Sequence, residues 1–229
     1  MTLLRFDGVG KTYPGGHRAL DDLSFSVQAG EMVFITGHSG AGKSTLLKLA
    51  HLSERPSAGS VWFDGKNLER VRGKQVALHR RRLGVVHQDH CLLLDRTVAD
   101  NVALPLLIAG LAPAEIQRRV RHALDSLGLA ERAGHRSTDI STGEQQRVGI
   151  ARAMALQPAL LLADEPTGNL DPSLAADIMN QLVGLCRQGT AVVIASHDLA
   201  LVKRMKKRVL VIDKGRLMDD ISPEELADE

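Results

Sequence analysis

An α/β fold with a mostly parallel sheet is predicted by three features of this sequence. Met32-Val33-Phe34-Ile35, Leu160-Leu161-Leu162-Ala163 and Ala191-Val192-Val193-Ile194-Ala195 are continuous apolar runs without polar alternation. Strands buried on both faces of a parallel sheet read this way, whereas half-exposed antiparallel strands alternate. Helical periodicity separates the later runs, so strands and helices follow one another along the chain. The first run leads into Gly37-His38-Ser39-Gly40-Ala41-Gly42-Lys43-Ser44, which matches the phosphate-loop pattern G-x-x-x-x-G-K-[ST].

Taken in order, residues 4–7 alternate as a strand does and lead into the turn Tyr13-Pro14-Gly15-Gly16-His17. Residues 19–27 resume the pattern with Leu20, Leu23, Phe25 and Val27. Beyond the phosphate loop, Thr45-Leu46-Leu47-Lys48-Leu49 begins a helix, and Pro56-Ser57-Ala58-Gly59 is a turn. Ser60-Val61-Trp62-Phe63 is a short strand ended by Asp64-Gly65, and Leu83-Gly84-Val85-Val86 is another. Between residues 89 and 138 the character becomes helical. In 113–127, Ile116, Val120, Ala123, Leu124 and Leu127 share one face, with Arg118, Arg119 and Arg121 on the other. This stretch reads as a helical lobe inserted into the α/β core. Residues 144–156 and 174–187 follow as helices and 209–212 as the last strand, and the acidic tail from Asp219 is expected to fray.

A chain of 229 residues with 44% hydrophobic content can bury a substantial core. Lys+Arg 29 against Asp+Glu 27 is nearly balanced, so no nucleic-acid partner is expected. The basic runs His79-Arg80-Arg81-Arg82 and Lys203-Arg204-Met205-Lys206-Lys207-Arg208 read mainly as solvated faces with some ion pairs. Cys91 and Cys186 lie far apart and suggest a reducing compartment, with neither a disulfide framework nor a zinc site. The N-terminal residues are acidic by Asp7 and do not resemble a signal peptide. The best membrane-span candidate, 102–111, is too short and carries Pro105 and Gly110. A membrane role is therefore expected to come through a partner.

The phosphate loop dictates a specific chemistry. A strand, a glycine-rich turn and a helix N-terminus aim backbone N–H groups at one point, where the helix dipole is positive. Gly37, Gly40 and Gly42 let the backbone wrap closely around the β- and γ-phosphates of a nucleotide. Lys43 neutralises phosphate charge and the Ser44 hydroxyl suits Mg²⁺. Asp164-Glu165 ends a buried strand at the edge of the sheet where parallel folds bind ligands. Asp164 is expected on Mg²⁺, and Glu165 is expected to polarise the water that attacks the γ-phosphate.

The order of phosphate loop, Gln88, Ile140-Ser141-Thr142-Gly143-Glu144-Gln145, Asp164-Glu165, Asp171 and His197 resembles an ABC-type ATPase subunit across nearly the whole chain. The resemblance implies a single P-loop NTPase domain over residues 2–229, an ABC nucleotide-binding domain. It would comprise a catalytic core with an N-terminal antiparallel β-subdomain (about 2–88 and 159–220) and an inserted helical subdomain (about 89–158). It implies that ATP lies on Gly37, His38, Ser39, Gly40, Ala41, Gly42, Lys43, Ser44 and Thr45, with Tyr13 stacked on adenine. Gln88 joins Ser44 and Asp164 around Mg²⁺, His197 bonds the γ-phosphate, and 168–171, with Asn169 and Asp171, crosses to a second subunit. Ser141 and Gly143 would close on ATP held by that second subunit, making a homodimer with ATP at the interface. The family's usual Leu-Ser-Gly-Gly is Ile-Ser-Thr-Gly here, so a functional but slow site is expected from Thr142.

Within the family, the phosphate loop with His38, Gln88-Asp89-His90, residues 93–102 and residues 147–153 are similar to ATPases of bacterial cell division. That similarity implies an integral-membrane partner, a peripheral position on the cytoplasmic face of the inner membrane, and ATP-driven closure controlling cell-wall hydrolases. Lipoprotein-releasing and macrolide-export branches share the same catalytic residues. A soluble family member without a membrane partner is a further alternative, although such proteins usually carry two cassettes or a long coiled-coil insertion. His87 stands where a Phe is common, on the surface expected to receive the partner's coupling helix.

Overall fold

The computed structural model describes residues 1–168 and 170–227. Strands β1 (Thr2–Thr12) and β2 (Arg18–Gln28) form a hairpin, and β3 (Met32–Thr36) leads into helix α1 (Lys43–His51). Strand β4 (Ala58–Phe63), the short β5 (Lys66–Asn67), α2 (Lys74–Arg80) and β6 (Leu83–Val86) follow. Three helices come next: α3 (Val98–Ala109), α4 (Pro113–Ser126) and α5 (Thr142–Met154). The chain then runs β7 (Leu160–Asp164), α6 (Pro172–Arg187), β8 (Ala191–Ala195), α7 (Leu199–Met205), β9 (Arg208–Asp213) and β10 (Arg216–Ile221).

Two sheets result. One is antiparallel, in the order β2-β1-β4-β5; the other runs β10-β9-β3-β8-β7-β6. In the second, β9, β3, β8, β7 and β6 are parallel and only β10 is antiparallel. Alternation along its strands divides the interior into two cores. Phe34, Leu161, Ala163, Val192 and Ile194 face α3, α4, α5 and α6. Val33, Ile35, Leu160, Leu162, Val193 and Leu210 face α1 and the antiparallel sheet. Successive side chains of a strand point to opposite faces, so one set of apolar runs builds both layers.

Several boundaries differ from the sequence reading for identifiable reasons. Helix α6 starts at Pro172 because Asp171 caps it, its Oδ1 accepting N–H bonds from Ser173 (3.1 Å) and Leu174 (3.0 Å). Helix α5 begins at Thr142 because Ser141 and Glu144 form a capping box. The tail does not fray from Asp219, since 219–221 belong to β10. Asp220 takes both Arg208 Nε (2.6 Å) and Nη2 (2.7 Å), while Arg208 Nη1 reaches Glu31 at 2.8 Å. The basic run 79–82 is only partly a solvated face. His79 is buried and bonds the Ala50 carbonyl, and Arg80 donates to the carbonyls of His51 and Leu52. Among the described residues, no helix is long and apolar enough to cross a membrane.

Candidate nucleotide site

The phosphate loop connects β3 to α1 along the C-terminal edge of the parallel sheet. Its glycines are structural requirements. Gly37 has φ 149° and a Cβ there would lie 2.1 Å from the Ile212 carbonyl oxygen. Gly42 has φ 111°, and its Cβ would meet the Ala19 carbonyl oxygen at 2.6 Å. Only glycine combines such φ values with backbone this close. Lys43 is buried and folds back over the loop, its Nζ donating to the carbonyls of Gly37 (2.7 Å) and His38 (3.0 Å). The loop is thus held in a ring around its own ammonium group.

An open cleft of about 480 Å³ lies in front of this ring. Ser39, Gly40, Gly42, Lys43, Ser44 and Thr45 form its floor, and Tyr13 lines one side. The Tyr13 hydroxyl is 3.4 Å from Thr45 Oγ1, and Lys11 Nζ lies 4.9 Å from the ring centroid. His17 and Ala19 also line the cleft and were missed by sequence reasoning. His17 could have been found from the hairpin turn, where its carbonyl accepts the Tyr13 N–H at 2.9 Å.

Gln88, Asp164, Glu165 and His197 line the same cleft. Gln88 follows β6, Asp164 ends β7 and His197 follows β8, and these three strands are neighbours in the parallel sheet. Glu165 has φ 49°, and its N–H donates to the Ala195 carbonyl (2.9 Å). A left-handed turn immediately after a strand re-aims the carboxylate, a conformation that costs about 1–3 kcal/mol and concentrates at functional sites. Glu165 Oε1 accepts from His197 N (3.1 Å) and lies 2.6 Å from His197 Nδ1. The carboxylate is mostly covered (14% exposed), whereas the imidazole is 72% exposed. Glu165 therefore orients His197 and leaves Nε2 for a ligand.

Not every expected residue lines this cleft. Gly37 and Ala41 support it from behind. The His38 ring turns away, with Nδ1 2.6 Å from the Ser39 carbonyl oxygen and Nε2 2.7 Å from Asp213 Oδ1. The Ser39 carbonyl and then the Asp213 carboxylate hold its pKa above the usual imidazole value. Ser141 and Gly143 begin α5 elsewhere on the surface, and Asp171 caps α6. Asn169 lies outside the described residues. Ser141 Oγ accepts from Glu144 N–H (3.3 Å) and donates to Glu144 Oε2 (2.9 Å). The Ser141 N–H bond and then Arg132 push the Glu144 carboxyl down to about 2.

The donor set fits a hard cation of the Mg²⁺ type. The Ser44 hydroxyl, Gln88 amide oxygen and Asp164 carboxylate come from three elements to one cleft, and all are oxygen ligands.

Residues 20–168 match the family described as ABC transporter. The chain belongs to the ABC transporter ATPase family. It is 50% identical over 222 residues to the cell division ATP-binding protein FtsE of Escherichia coli K12, covering 97% of this chain and all of that one. Identity to FtsE of Bacillus subtilis is 40%, covering 96% of each chain. The methionine import ATP-binding protein MetN of Caulobacter vibrioides is 42% identical, covering 98% of this chain but 68% of MetN. Among solved structures, a dimeric post-hydrolysis state of the cassette MJ0796 bound to ADP and Pi has a TM-score of 0.90 and 31% identity, covering 96% of this chain and 99% of that one. This ABC ATPase is accordingly an FtsE-like ATP-binding and ATP-hydrolysing subunit with a P-loop NTPase fold. The dimeric cassettes among its neighbours support homodimerisation.

Proposed function

We propose that this ABC ATPase powers a bacterial cell-division complex, working as an ATP-closed homodimer beneath an integral-membrane partner of the FtsX type. The observation that carries the catalytic part is the convergence of Lys43, Ser44, Gln88, Asp164, Glu165 and His197 on one cleft. Lys43 exchanges its two loop carbonyls for phosphate oxygens as ATP enters. Tyr13 stacks on the adenine, with Lys11 against the ring. Ser44, Gln88 and Asp164 would hold Mg²⁺, which would supply charge neutralisation on the transferring phosphate. Glu165 accepts the proton of the attacking water, and His197, fixed by Glu165, donates from Nε2 to the γ-phosphate.

Ser141 and Gly143 lie apart from the cleft of their own chain, which favours their serving the nucleotide of a second copy. The N-terminus of α5 offers N–H groups and a positive dipole end, a natural anion site. Asp171 belongs to the same contact between subunits.

A second groove of about 300 Å³, lined by Val85, His87, Leu104, Pro105, Ile108 and Arg152 among others, suits the partner's coupling helix. Leu107 and Ile108 are each more than half exposed on the neighbouring helix surface, as expected of residues awaiting a docking helix. The partner then places the ATPase on the cytoplasmic face of the inner membrane, where closure is transmitted outward to cell-wall hydrolases. Co-expression with a membrane protein of the FtsX type and co-purification of wild type against Ile108→Glu tests this. Capture by wild type and loss in the variant, with ATPase turnover unchanged, is expected. Equal capture by both refutes the groove, and no capture by wild type refutes the partner.

A further inference from the structure

We infer that Arg152, outside the nucleotide cleft, is the positioning residue that holds the Gln88 loop at its working distance. This inference rests on the reading of Gln88 as a Mg²⁺ ligand. The loop between β6 and α3 forms a wall shared by two cavities, since Gln88 lines the nucleotide cleft while His87 and Cys91 line the apolar groove. Its backbone is strained. His90 and Cys91 are consecutive non-glycine residues with φ 56° and 48°. The Cys91 N–H donates to the Asp89 carbonyl at 2.5 Å across a three-residue turn centred on His90. His90 Nδ1 is buried and finds no partner. Two adjacent left-handed residues persist only where the surroundings over-determine them.

Arg152 supplies that constraint. Its Nη2 donates to the His90 carbonyl (2.6 Å) and its Nη1 to the Cys91 carbonyl (2.7 Å). The planar guanidinium thus grips both strained peptides at once, which a lysine cannot do. Burial lowers the Arg152 pKa, and among the described residues no carboxylate pairs with it. One turn earlier on α5, Gly149 packs beside the loop, its Cβ position in van der Waals range (3.7 Å) of the His90 carbonyl oxygen. Farther along, the fully buried Asn101 accepts the Leu93 N–H (2.8 Å) and donates to the Leu93 carbonyl (3.0 Å). The loop is therefore tied at one end to α3 and at the other, through Arg152, to α5, the helix capped by Ser141.

Four variants test the clamp: Arg152→Gln, Arg152→Lys, Gln88→Ala and Arg152→Gln with Gln88→Ala. The readouts are amide hydrogen exchange of residues 89–93 and the Mg²⁺ concentration giving half-maximal ATP turnover. Arg152→Gln is expected to speed exchange at His90 and Cys91 and to raise the Mg²⁺ requirement about tenfold, the scale at which supporting groups act on metal sites. Arg152→Lys should give a smaller shift, and it keeps the test open if the glutamine variant does not fold. In the Gln88→Ala background, Arg152→Gln should add nothing to the Mg²⁺ requirement, because it acts through Gln88. Unchanged loop exchange overturns the clamp, as do Mg²⁺ effects that multiply in the double variant. If Gln88→Ala alone leaves the Mg²⁺ requirement unchanged, the ligand reading of Gln88 fails, and hydrogen exchange still decides the clamp.

Discussion

Replacing Glu165 with Gln separates proton transfer from architecture, because the structure shows that the amide can inherit every contact but one role. Oε1 receives the His197 N–H and faces His197 Nδ1, and an amide oxygen accepts both bonds equally. Oε2 is 3.4 Å from Ser196 Oγ, a hydroxyl that can turn from donor to acceptor when an amide nitrogen replaces the oxygen. What disappears is the negative charge and the capacity to take a proton. A positioned general base contributes about 10²–10⁴-fold, equivalent to roughly 3–5 kcal/mol of barrier. Steady-state turnover by phosphate release should fall by that factor. ATP affinity should hold or tighten, because the retained contacts keep His197, the proposed γ-phosphate ligand, in place while a negative charge beside the phosphates is removed. At saturating ATP the stalled protein should sediment as a dimer. A dimer that appears only with the membrane partner present would assign closure to that partner. Turnover within about threefold of wild type would falsify the assignment of Glu165 as the base.

Three further outcomes follow from the structure. Thr142→Gly, at the exposed first residue of α5, should raise ATP turnover by removing a β-branched side chain from the surface proposed to meet the nucleotide of a second copy; reduced turnover contradicts the slow-site reading. Asn101→Ala strands the Leu93 N–H and leaves the Ser137 hydroxyl without its Nδ2 donor, so urea unfolding should report a loss of about 2–4 kcal/mol, and a change under about 0.5 kcal/mol refutes the anchor. Burial, then the Arg80 charge, pulls the His51 pKa down to about 4, so the unfolded chain binds its proton first as the pH falls. Stability should therefore drop from about pH 6.5 toward pH 4, and His51→Gln should flatten that slope in denaturation midpoints. An unchanged slope removes His51 from the account.

Local chemistry made the candidate nucleotide site legible in the sequence itself. The loop from Gly37 to Ser44 and the strand ending at Asp164 are written in consecutive residues, where strand, turn and charge identify themselves. Contacts across long separations were not legible. His38 offered no chemistry in the sequence, yet its ring binds Asp213, 175 positions away. The tail looked soluble and loose because β10 lies at the sheet edge, where Asp219 and Asp220 can face water. Its order comes from pairing with β9 and from Arg208. The arginines of 79–82 looked like a solvated charge cluster, yet their donors find backbone carbonyls and Asp64. Ser141 and Gly143 were expected to serve the ATP of a second subunit, and neither lines the cleft of its own chain.

The division of the interior into two cores bears on how such a protein diversifies. Ala41, Leu46 and Leu47, which seat the phosphate grip, belong to the layer beneath the antiparallel sheet. Val102 and Leu106, which carry the exposed Leu107 and Ile108, belong to the layer on the far side of the parallel strands. Each layer packs against its own alternate side chains of the shared strands, so drift in one leaves the other's neighbours in place. A lineage can therefore remodel the surface that greets a new companion while inheriting its engine intact. FtsE of Escherichia coli, at 50% identity, and the more distant MetN of Caulobacter vibrioides, at 42%, carry names for different tasks in the manner that such a partition permits.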